Sequence, residues 1–73
     1  MKEIQERLLT MYDNIINEFE QIEEGHRDFL EEAKNGNIQL DIMNERMALA
    51  KDNHRRLQNA REERESISKY NFL

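Results

Sequence analysis

Asn35-Gly36-Asn37 lies near the midpoint of this 73-residue chain, between two long segments of helical periodicity. No other internal cluster reads as a firm chain reversal, and the chain contains no proline. That one punctuation mark leaves few options. The expected fold is all-α: a two-helix antiparallel hairpin, coiled-coil-like, forming a single unit over residues 1–73. Helix 1 is expected over about 2–34, the turn over 35–37, helix 2 over about 38–69, and a short apolar tail over 70–73. Gly36 suits a left-handed residue closing helix 1, and Asn37 suits the cap of helix 2.

The periodicity supports this division. In helix 1 the main stripe is Ile4, Leu8, Met11, Ile15, Phe19, Ile22, His26, Phe29 and Ala33. Its steps alternate between three and four residues, the period of a straight α-helix. Gly25 falls inside the stripe and costs about 1 kcal/mol relative to Ala. The stripe keeps phase across it, so one continuous helix is expected. In helix 2 the stripe is Leu40, Met43, Met47, Ala50, His54, Leu57, Ala60, Arg64 and Ile67. Folding about Gly36 pairs positions whose numbers sum to roughly 72, since both helices then run away from one residue at the same rise. His54 is thereby placed opposite Phe19. If both histidines were partly buried and neutral, protonation near pH 6 would loosen the assembly.

The two stripes are unequal. Leu9, Tyr12, Ile16 and Phe19 form a second row beside the first, whereas the segment expected to face them is mostly polar. Apolar surface over so much of one helix calls for cover on two sides. The expected cover is a second copy of the chain, giving a dimeric four-helix bundle, or a larger foreign protein. Leu9, Tyr12, Ile16 and Phe19 are therefore the first candidates for partner or dimer contact. Tyr70, Phe72 and Leu73 in the apolar tail come next, because aromatic residues are enriched at interface hot spots. The tail's other role would be to fold onto Met1 and Ile4 at the open end.

Charge narrows the function classes. Residues 1–37 hold four Lys/Arg against ten Asp/Glu, a net of −6, and residues 38–73 hold seven against six, a net of +1. An acidic first helix therefore meets a mildly basic second one, which favours their pairing and orientation. Lys51, Arg55, Arg56, Arg61, Arg64 and Lys69 are interleaved with Asp52, Glu62, Glu63 and Glu65, so direct nucleic-acid binding is not expected. The first residues are charged, and no apolar run approaches the roughly 20 residues that span a bilayer. No membrane partner and a cytoplasmic location are expected.

Chemistry is poorly provided for. There is no cysteine, hence neither a disulfide nor a thiolate site. His26-Arg27-Asp28 matches the tripeptide of a protein-kinase catalytic loop, but Ala33 stands where that loop needs Asn. Glu23 and His26 have the spacing of half a di-iron site, but the further inward carboxylates are missing. No enzyme activity, metal or cofactor is expected. The function expected is a non-enzymatic protein-interaction module, an adaptor or inhibitor of a larger cellular protein. Small acidic helical proteins of this kind are often phage-encoded or bacterial regulators, an association from class alone. The alternatives are an acidic DNA mimic that blocks a nucleic-acid-binding protein, and a purely structural self-assembling module.

Overall fold

A computed structural model describes residues 2–36 and 38–70. It contains two helices packed against each other, α1 (Lys2–Asn35) and α2 (Leu40–Lys69). Helix α1 passes through Gly25 without a break. The helices run antiparallel, and the hairpin measures 57 × 14 × 12 Å. Its radius of gyration is 16.7 Å, against about 11 Å for an ordinary compact domain of this length.

The turn differs from expectation in detail. No described glycine has a positive φ, so Gly36 does not close α1 in the left-handed conformation. Instead its N–H reaches back three residues to the Ala33 carbonyl at 3.5 Å, a tighter closing turn that uses an orphan carbonyl. Helix α2 starts two residues later than expected, with Gln39 in extended geometry at its N-cap and no side-chain cap bond. The expected cap, Asn37, lies outside the described residues. Lys34 in the last turn of α1 and Asp41 in the first turn of α2 fall where the helix dipoles favour them.

The register stays close to the one expected. Residues bonded across the seam have numbers summing to between 72 and 81, from Gln5 with Ile67 to Glu20 with Arg61. Gln5 with Ile67 and Phe19 with Asn53 both keep the expected 72, and the largest sums belong to Arg and His side chains that reach along the seam to their acids. What differs from expectation is the rotation of α2, seen at His54. It lies exposed at the rim beside Glu23, and Asn53 takes the inward place, donating from Nδ2 to the Phe19 carbonyl at 3.0 Å. Leu40, expected in the stripe, is 76% exposed.

The core is thin. Leu57 is fully buried, and the other buried residues are Ala33, Ala60 and Asn53. Burying Leu57 contributes about 1.5–3 kcal/mol. Along the rest of the seam, Leu8, Leu9, Ile15, Ile16, Phe19 and Phe29 of α1 are only half-buried. The Arg46 guanidinium lies 4.6 Å from the centre of the Phe29 ring, adding a cation–π contact near the turn.

Candidate interaction surface

The seam orders charges as the composition leads one to expect. Arg64 donates to Asp13, Arg61 to Glu20 at 3.4 Å, and His54 Nδ1 lies 2.7 Å from Glu23 Oε1. In each case α1 supplies the acid and α2 the base. All three pairs are largely exposed, so they set orientation and register more than stability. The Asp13 carboxylate holds the Arg64 guanidinium above its ordinary pKa through the hydrogen bond between them. Tyr12 donates its hydroxyl to Glu63 at 2.6 Å, and that bond to a carboxylate raises the phenol pKa above 10.0. Asp52 bonds Arg55 and Arg56 within α2, and the Arg55 bond chiefly lowers its pKa from 3.8.

Glu23 therefore turns toward His54 across the seam and not toward His26 along its own helix. Among the described residues no three His, Cys, Asp or Glu side chains converge as a metal site would require. The exposed His54 also removes one premise of the acid-lability argument.

The residues singled out for contact separate into groups. Leu9, Tyr12, Ile16 and Phe19 are all half-buried within the single chain, with Tyr12 and Phe19 bonded directly to α2. They belong to the flank of the seam. Tyr70 is exposed at the C-cap of α2, and its N–H bonds the Ile67 carbonyl at 3.2 Å. Phe72 and Leu73 lie outside the described residues, as does Met1, so the docking of the tail at the open end lies outside them as well.

The more exposed large apolar side chains lie elsewhere. In α1 they are Ile4, Met11 and Ile22, and in α2 they include Ile42 and Leu49. The first three are spaced by seven and eleven residues, hence within about 20° of one another around the helix. Ile42 and Leu49 are also seven apart. Ile22 and Leu49 line one open groove of about 330 Å³ together with Phe19, His26, Asp52, Asn53 and Arg56. Both rows thus open on the same side of the hairpin, with Met11 in a separate groove beside Glu3, Glu6, Arg7 and Thr10.

A second groove of about 350 Å³, near the turn, is lined by Leu30, Met43 and Met47 with Arg27, Glu31 and Lys34. Met47 follows Leu49's position by two residues in reverse, about 200° round α2, and so marks the opposite side. Ile42 and Leu49 fall outside the helix 2 stripe that runs through Leu40 and Met47, and their i, i+7 spacing is the sequence signal that marks them. No helix among the described residues is long and apolar enough to cross a membrane. No protein-family model matches the chain, and searches of curated proteins and of solved structures give no match either.

Proposed function

We propose that this chain is a non-enzymatic interaction module, an adaptor or inhibitor that acts on a larger protein by presenting helix surface. The observation that carries this reading is the apolar face formed by Ile4, Met11, Ile22, Ile42 and Leu49, which are each between 42% and 55% exposed. Exposed apolar side chains gathered on one side and interspersed with charge support an interaction surface. A rod two helices thick offers open grooves for docking, not an enclosed site for chemistry.

The test is a nuclease-treated pull-down from native-host lysate at low and high salt, with wild type beside an Ile22→Glu/Leu49→Glu double variant. A salt-resistant partner captured by wild type and lost by the variant is the expected result. A partner captured equally by both would sink the reading. The DNA-mimic alternative has its own support in Glu3, Glu6, Glu18, Glu24, Asp28, Glu31 and Glu32, none of which bonds across the seam to α2. It requires a DNA-binding protein released as salt rises, because exposed charges are screened within about 8 Å at physiological ionic strength.

A further inference from the structure

We infer that the Ile4–Ile22–Leu49 face is covered by a second copy of this chain, so that the free protein is a twofold dimer of hairpins. The inference rests on the reading of that face as the working surface, and it names the occupant. Self-association and capture of a foreign partner would then compete for one surface.

The area argument comes first. The hairpin exposes 6040 Å² for a mass of 8.9 kDa. A compact monomer of that mass exposes about 4,800 Å². The surplus of about 1,200 Å² per chain exceeds the roughly 800 Å² that each partner contributes to a standard stable interface. Two hairpins closed into one body of twice the mass would expose about 8,000 Å² in total. That would remove about 4,000 Å² from water, the range of obligate homodimers.

Chemistry selects the same occupant. A net charge of −5 on each copy is repulsive overall, as it is toward an anionic lipid surface or a nucleic acid. The contact therefore has to set the acidic α1 of one copy near the more basic α2 of the other. A second copy brings an apolar row of the same length and kind. It also brings a basic-leaning α2 beside an acidic α1, so charges of both signs are available at the rim. A twofold contact uses one self-complementary patch on both chains and closes without leaving a free face.

The experiment is sedimentation equilibrium of the full chain across micromolar concentrations, with helicity followed by circular dichroism. Wild type is expected to reach twice the chain mass. Ile22→Glu/Leu49→Glu is expected to weaken self-association by more than about tenfold while keeping its helicity, because two carboxylates on each copy would have to be desolvated at the contact. Met47→Glu, on the opposite side of α2, is expected to remain dimeric. Should the double variant lose its helices, Ile4→Ser and Met11→Ser at the far end of the same face replace it in the same measurement.

Wild type sedimenting as a single chain at every concentration would overturn the inference. So would a dimer that Met47→Glu dissociates and the face variants leave intact. Failure of the functional reading looks different. A monomeric wild type whose partner capture still depends on Ile22 and Leu49 leaves that reading standing. A dimer whose foreign partner ignores those residues leaves only the dimer.

Discussion

Asn53 illustrates how one residue sets the seam. It is buried in a thin apolar contact, where a polar side chain without a partner would cost about 1–3 kcal/mol. Its bond to the Phe19 carbonyl satisfies it and ties one position of α2 to one position of α1. Asn53→Ala is expected to lower stability by about 1 kcal/mol in urea unfolding. Leu57→Ala should cost more, about 2–4 kcal/mol, because it empties the one fully buried large side chain among the described residues. Equal losses for the two would show that the seam is not centred on Leu57. Tyr12 provides a pH test. Its folded pKa is raised by donation to Glu63, so the neutral form is the stabilised one. Its contribution is complete below the unfolded phenol pKa and is lost as pH rises through the folded value. Wild type should therefore lose melting temperature more than Tyr12→Phe between about pH 9 and 11. Asp52 has the opposite sign, with a lowered pKa and a contribution lost in acid as pH falls through the folded value.

At the scale of the element, both glycines yield predictions. A Cβ at Gly25 would meet nothing within 4 Å. Gly25→Ala should stabilise α1 by about 1 kcal/mol through helix propensity alone, read as a higher denaturation midpoint. A loss of stability would mean that the helix needs a break there. Gly36 has no positive φ, and a Cβ there would make only an ordinary contact with the Glu32 carbonyl oxygen at 3.7 Å. Gly36→Ala should therefore stay within about 0.5 kcal/mol of wild type, whereas a left-handed glycine would make the same change costly. The far end of the hairpin is closed by Gln5, whose Nε2 reaches the carbonyls of Ile67 at 2.9 Å and Tyr70 at 3.2 Å. These are among the orphan acceptors that every helix C-terminus leaves. Nothing in the apolar pattern marks Gln5 for this task, since its partners are 62 and 65 residues away in sequence.

For the molecule as a whole, the decisive quantity is surface left uncovered. About 53% of the unfolded chain's surface is removed in the single hairpin, against about 60% for a typical small domain. A chain with so thin a core is expected to gain stability from whatever covers its open face. If that cover is a second copy, the melting temperature should rise with protein concentration, because association favours only the folded state. A melting temperature constant over a hundredfold range of concentration would place the stability within the single hairpin.

The two long helices, the reversal between them and the continuity through Gly25 were legible in the sequence. Helical period and turn composition are local properties, and they act over a few residues. The pairing of an acidic helix with a more basic one was legible too, since charge survives any small change of register. What tertiary structure decided was rotation. Helix α2 is turned so that Asn53 faces inward and His54 sits at the rim. Leu9, Tyr12, Ile16 and Phe19 lie along the seam, and Ile4, Met11 and Ile22 stay open. A helix apolar over two adjoining rows has two nearly equal ways to face its partner. The bonds across the seam hold one of them, and they are not encoded in the period of one helix.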